Sequence, residues 1–302
     1  MPADNSNPSA ASAHLTSRSL LTPTINAWRF YLDDQGVSPH TIKAFISDLN
    51  LLAAYLPPDR ALGEISTADL NHFLDWLQNG RGVPCSPKSL ARRITSIKAF
   101  FRWLHQFGVL LLDPAEKVPQ RTVISPLPVV LTLEETQLFL ETADRHRRGV
   151  KPDARPFALA HLLLSTGIKK GECLALSPNH IELESPSGPF VFVRYASPQN
   201  RYKERKIPLP ESWIEAYQEY QSQYALGERL FPWSQRRLEY ILEDLSLEAG
   251  LEKHVSFDMC RWTCALNDWR SGMEHDRIRQ KLGVSKIQWR EIGTKLERLA
   301  AD

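Results

Sequence analysis

Apolar residues recur at helical spacing through the first third of the chain. Ile25, Trp28, Tyr31 and Leu32 mark a helix over residues 24–36. Ile42, Phe45, Ile46, Leu49 and Leu52 mark a second over 38–56. Ser38-Pro39 opens it as a cap and a first helical position, and Pro57-Pro58 stops it. Leu70, Phe73, Leu74 and Leu77 give a third over 67–78. Leu90, Ile94, Ile97, Phe101 and Leu104 form the apolar stripe of a fourth, with Ser86 and Ser89 as candidate caps. No strand pattern interrupts these helices, so residues 24–118 are predicted to fold as a small all-helical domain.

Residues 119–130 hold Pro119, Pro126 and Pro128 with no sustained period and read as a linker. A second domain, 131–302, starts with Thr132 and Glu135 in the spacing of a capping box. An apolar helix over 157–165 ends at Gly167. Strands are predicted at 190–195 and 205–209 around a polar, basic turn. Helices are predicted again at 211–224, 235–249, 257–270 and 276–282. The fold class is therefore mainly α, a helical N-terminal domain followed by a mostly helical domain with a small sheet. Residues 1–23 are rich in Ser, Ala, Pro and Asn, and read as a disordered tail and not a signal peptide.

Composition changes this picture little. With 302 residues, 42% hydrophobic and 24% charged, the chain has the balance of an ordinary two-domain globular protein. No apolar run approaches the roughly 18 residues of a membrane span; 157–164 contains His161. Four cysteines are too few for a disulfide framework, so a reducing interior, and with it a cytoplasmic location, is expected.

Charge changes it more. The net charge is only +2, but no acidic residue lies between Asp75 and Asp113, where the overall frequency of 35 in 302 would place about four. The same stretch holds Arg81, Lys88, Arg92, Arg93, Lys98 and Arg102. Lys88, Arg92, Thr95, Ala99 and Arg102 fall largely on a face apart from the apolar stripe. Such a face suits a phosphate backbone, because Lys and Arg release condensed counterions on binding it. The alternative is an ordinary solvated helix face.

Several short motifs, in order, resemble the tyrosine recombinase (phage integrase) family, particularly its Xer-like members, over about residues 24–299. SPHTIKAFISDLNLLAAYL resembles the first core-binding helix, and SPKSLARRITSIKAFFRWL followed by Asp113-Pro114 the last. LTLEET resembles the start of the catalytic domain, and LLLSTGIKKGECLAL the threonine-glycine-leucine-arginine motif, with Glu172 in its usual place. NRYKERKIPLP resembles the lysine-bearing hairpin. SFDMCRWTCA resembles the His-x-x-Arg segment, and KLGVSKIQWREIGTKLERL the segment of the second histidine and the tyrosine. The resemblance implies a SAM-like core-binding domain and a catalytic-type domain clamping double-stranded DNA. It makes Lys88, Arg92, Arg93, Lys98, Arg102, Lys169, Arg201, Lys203, Arg205, Lys206 and Arg261 DNA-facing candidates.

The family cuts DNA with a tyrosine, two arginines on the scissile phosphate, a lysine acid and histidines. That chemistry needs a nucleophile, charge neutralisation and proton shuttles. Here the first arginine aligns with Lys169, which keeps the charge and loses the planar fork. The lysine aligns with Asn200, with Lys203 a candidate substitute. The first histidine aligns with Asp258, an anion facing the phosphate, and the second arginine is Arg261. The second histidine aligns with Val284, after Leu282-Gly283, and the tyrosine with Gly293. The eight tyrosines are Tyr31, Tyr55, Tyr195, Tyr202, Tyr217, Tyr220, Tyr224 and Tyr240, and none follows Arg261. Ser285 and Thr294 are nearby hydroxyls without a base or complete clamp.

The sequence therefore reads as a recombinase fold with its active site dismantled. The expected role is a DNA-binding accessory or regulatory factor in recombination or integration of a mobile element, its partners DNA and an active recombinase or further copies. The alternative is an active recombinase that uses Lys169, Lys203 and Arg261, or a nucleophile donated in trans. A protein-interaction module without DNA is a third reading. Asp258 and Arg261, three apart on one helix, are expected to pair if Arg261 does not meet phosphate. No cofactor, metal, membrane or small-molecule substrate is expected. Cys260, Cys264 and His254 could ligate a metal, but core packing is the better account of the cysteines, as it is of Trp262, Trp269 and Trp289.

Overall fold

A computed structural model describes residues 14–83, 85–120 and 126–301. The chain divides into two compact units, Met1–Ser125 and Pro126–Asp302.

The first unit is built from α1 (Leu21–Asp34), α2 (Pro39–Tyr55), α3 (Thr67–Asp75) and α4 (Pro87–Gln106). Ser38 caps α2 by accepting the Thr41 N–H at 3.2 Å. Ser86, not Ser89, caps α4, accepting the Ser89 N–H at 3.2 Å. The predicted stripes converge on one core in which Trp28, Leu49, Leu52, Phe73, Phe100 and Phe101 are fully buried. Trp28 stacks on Phe45 at 5.8 Å and meets Phe100 edge-on at 5.4 Å. Each such side chain contributes about 1.5–3 kcal/mol by leaving water. The tail expected through residue 23 stops sooner. Leu15 packs on this core, Leu20 bridges Ala61, and α1 starts at Leu21. Residues 1–13 of that expected tail, and 121–125 of the expected linker, lie outside the described residues.

The second unit contains α5 (Leu133–Arg148), α6 (Arg155–Thr166), α7 (Lys170–Ala175), β1 (Ile181–Glu182), β2 (Phe190–Val193), β3 (Arg205–Pro208), α8 (Glu211–Gln223), α9 (Gln235–Glu248), α10 (Phe257–Arg270), α11 (His275–Lys281) and α12 (Lys286–Ala301). Thr132 and Glu135 make the predicted capping box: Glu135 accepts the Thr132 N–H at 2.7 Å and Thr132 the Glu135 N–H at 3.1 Å. α6 is apolar nearly all round, with Leu159, Leu162 and Leu163 buried, as befits a central helix. The sheet is antiparallel in the order β1-β2-β3, with Val191 opposite Ile207 and Phe192 opposite Lys206. Val191, Val193 and Ile207 face the core.

Three elements escape the periodicity reading. β1 has two residues and α7 six, too few to show a period. α12 buries only Leu296 and Leu299, near its C-terminal end, and leaves Ile287 78% exposed, so its apolar stripe is short. These leucines join Leu266, Ile278, Leu282 and Val284 in a separate cluster against which Trp262, Trp269 and Trp289 pack. Cys260 and Cys264 are buried, and burial pushes their thiols up to about 12 and about 11.

Candidate nucleic-acid interface

In the second unit, Lys169, Arg261 and Asp258 line a cavity of about 640 Å³ together with residues of α9. Lys169 immediately precedes α7, where the chain leaves the left-handed turn at Gly167 (φ 59°). A side chain at 167 would press on Cys264 and Leu282 at 3.2 Å, so glycine serves both the turn and the close packing. Lys169 is half-buried. Burial and the charges of Arg261, Arg205 and Lys203 lower its pKa against the pull of Glu172. A lysine held among cations favours a bound anion.

Arg261, one turn into α10, donates to the carbonyls of Gly167 and, at 2.6 Å, Leu282. It ties the turn before α7 to the turn before α12. The ion pair expected between Arg261 and Asp258 does not form: the guanidinium points to these carbonyls, while Asp258 stays exposed beside the Ser256 cap. Elsewhere in the cavity wall Lys170 pairs with Glu239 at 2.9 Å and His254 faces Glu243 at 3.6 Å. Arg236 donates to the Tyr240 hydroxyl at 2.7 Å.

Beneath the hairpin lies a closed network. Glu172 accepts both terminal nitrogens of Arg205, at 3.0 and 2.8 Å, the Lys169 N–H at 2.8 Å, and the Tyr195 hydroxyl. Burial opposes the carboxylate, but these donors, Arg205 foremost, hold its pKa down at about 2. Arg205 also donates from Nε to the Lys281 carbonyl at 2.6 Å. Its side chain is only 8% exposed. Arg205 is thus withdrawn from the DNA-facing set that the sequence proposes: its guanidinium is consumed inside the fold. Arg201 and Lys206 are exposed, and Lys203 bonds the Asn200 carbonyl oxygen at 2.7 Å.

In the first unit the basic helix is also partly consumed. Asp48, 1% exposed on α2, accepts from Arg92 and from the Ser96 hydroxyl at 2.7 Å. Arg93 Nε lies 3.6 Å from the same carboxylate. Arg93 is 13% exposed, so it is corrected from a DNA ligand to an internal partner of α2. Arg92, 41% exposed, is divided between Asp48, the Ala44 carbonyl at 3.2 Å and solvent. Lys98 reaches the Glu116 carbonyl at 3.2 Å. Lys88 and Arg102 remain exposed, with no ion pair among the described residues.

The phage integrase N-terminal SAM-like domain model matches residues 25–108, and the phage integrase family model matches residues 130–292. The chain belongs to the phage integrase family. It is 25% identical to the tyrosine recombinase XerD of Listeria innocua, over 89% of this chain and 92% of that protein. It is 26% identical to the tyrosine recombinase XerC of Xanthomonas campestris, over 87% and 81% respectively. The fold is similar to a lambda integrase tetramer bound to a Holliday junction (TM-score 0.72, 15% identity, 95% of this chain and 81% of that one). It is also similar to XerH recombinase bound to palindromic difH substrate (TM-score 0.70, 18% identity, 93% and 82%).

Within this integrase fold, Val284 is 7% exposed and belongs to the C-terminal apolar cluster. Gly293 lies on α12, where an added Cβ would meet the Trp289 ring at 3.6 Å. Sequence reading missed Asp48, Tyr195 and Tyr240. Asp48 sits 44 residues from Arg92, and no local pattern announces such a pairing. Tyr195 is the last residue of a predicted strand, two past the observed end of β2, and only its bond to Glu172 gives it a role.

Proposed function

We propose that this integrase-family chain binds double-stranded DNA at a recombination site without cleaving it, as an accessory or regulatory factor in recombination or integration of a mobile element. Its partners would be an intact recombinase or further copies of itself. Gly293 carries the reading. It stands where the family resemblance places the nucleophile, it has no side-chain atom, and no tyrosine follows Arg261. At the other aligned positions, Arg261 spends both terminal nitrogens on carbonyls, Val284 is packed into an apolar cluster, and Asp258 puts an acid into the cavity. DNA binding is supported by half-buried Lys169 among like charges, by exposed Lys88, Arg102, Arg201 and Lys206, and by neighbours whose structures are DNA complexes.

The test is a nicked suicide duplex, whose product cannot religate and so traps a covalent adduct. The purified chain is expected to shift this DNA on a native gel and to leave no denaturant-stable band. Gly293→Tyr alone should leave none either, because members of a cooperative site fail together. An adduct from the wild-type chain alone would overturn the reading. Tyr240, which lines the same cavity as Lys169 and Arg261, favours the second reading, an active enzyme with a substitute nucleophile. In that case Tyr240→Phe should abolish the adduct.

A further inference from the structure

The hairpin tip carries an aromatic residue that the protein core does not use. Tyr202 is 70% exposed. Lys203 Nζ sits over its ring at 5.1 Å and over the Tyr195 ring at 5.8 Å. The same ammonium is anchored to Asn200 Oδ1 at 2.7 Å. The segment is fixed from several directions. Asn200 N–H donates to the Ser197 carbonyl at 3.0 Å and Glu204 N–H to the Arg201 carbonyl at 2.9 Å. Tyr195 N–H donates to the Glu204 carboxylate at 2.9 Å, and Arg205 donates to the Lys203 carbonyl at 3.1 Å. The tip is thus a braced platform, with one ring face under a cation and exposed Arg201 beside it.

We propose that Tyr202 is a base-stacking platform, through which the chain prefers DNA with an unstacked base over continuous duplex. This rests on the DNA-binding reading above and deepens it. A scattered exposed apolar residue needs no explanation. An exposed aromatic ring on a braced backbone, between Lys203 and Arg201 in the chain, has the chemistry of single-strand binders, in which cations hold the backbone and a ring takes the base face. In intact duplex both faces of each base are covered by neighbours. The ring can therefore engage only where a step is opened, as at a bulge, a gap or a junction. The hydroxyl plays no part in stacking, so phenylalanine should serve as well as tyrosine.

The experiment uses the full chain with two duplexes, one continuous and one differing only by a single extra, bulged 2-aminopurine. The bulged duplex should bind about tenfold more tightly, and the probe's fluorescence should be quenched on binding. Tyr202→Phe should retain both effects. Tyr202→Ala should lose the preference and the quenching while still binding continuous duplex. Equal affinity of the wild type for the two duplexes would overturn the inference and leave the DNA-binding reading intact. So would a Tyr202→Phe variant that behaves like Tyr202→Ala, which would assign the contact to the hydroxyl. Binding to neither duplex would overturn both.

Discussion

At Glu172 four donors converge on one carboxylate that is 3% exposed: two from Arg205, one from Tyr195 and one from the Lys169 amide. The folded protein therefore holds the charged form far more tightly than the unfolded chain does. Its pKa is about 2 against an ordinary value of 4.5, so the stabilisation is complete above pH 4.5 and is lost as pH falls towards 2. The linkage amounts to about 3 kcal/mol. Urea midpoints of the wild type should drop across that window, whereas Glu172→Gln should be less stable at neutral pH and flatter through it. Arg205→Met leaves the carboxylate buried and unpaired and should cost about 3–5 kcal/mol, read by the same melts at pH 7.

Gly283 and Gly293, on either side of the junction into α12, should respond oppositely to alanine. Gly283 has φ 58°, and a Cβ there would lie 2.5 Å from the Arg205 guanidinium. Gly283→Ala should therefore destabilise by about 1–3 kcal/mol. Gly293 lies inside a helix, with only the Trp289 ring at 3.6 Å from an added Cβ. Gly293→Ala should raise stability by about 0.5–1 kcal/mol. Both changes are measurable by thermal melts.

The element α4 holds a second contrast. Asp48→Ala strands Arg92 and Arg93 and should lower the stability of the first unit by about 3 kcal/mol. Charge reversal at Lys88 and Arg102, which have no internal ion pairs among the described residues, should leave melts unchanged and weaken DNA binding. If melting falls with Lys88→Glu/Arg102→Glu, or DNA affinity is indifferent to it, the exposed side of α4 is not a DNA contact.

For the whole molecule the expected signature of DNA binding is its salt dependence. Six to ten phosphate contacts would lower affinity by roughly 10³–10⁵ between 50 and 200 mM salt. A flat titration would count against DNA binding by either unit. Net charge alone would not have led to this expectation, since +2 on 302 residues is near neutrality. It comes from where exposed cations are left over once internal partners are subtracted. That subtraction also lowers the count of available ligands, by removing Arg93 and Arg205.

What the sequence determined is what short-range periodicity and ordered motifs encode. The stripes of α1 to α4, the capping box at Thr132, the buried run of α6 and the absence of a tyrosine after Arg261 are all local facts, and a helix or strand forms from neighbours within a few positions. Tertiary structure decided where the charges go. The acid-free stretch from Asp75 to Asp113 is free of acids only along the chain: folding brings Asp48 against Arg92 and Arg93 from α2. The hairpin cations look alike in sequence, yet Arg205 points inward to Glu172 while Lys206, one residue on, faces solvent. An ion pair is set by distance in space, and strand alternation decides which cation meets the buried acid.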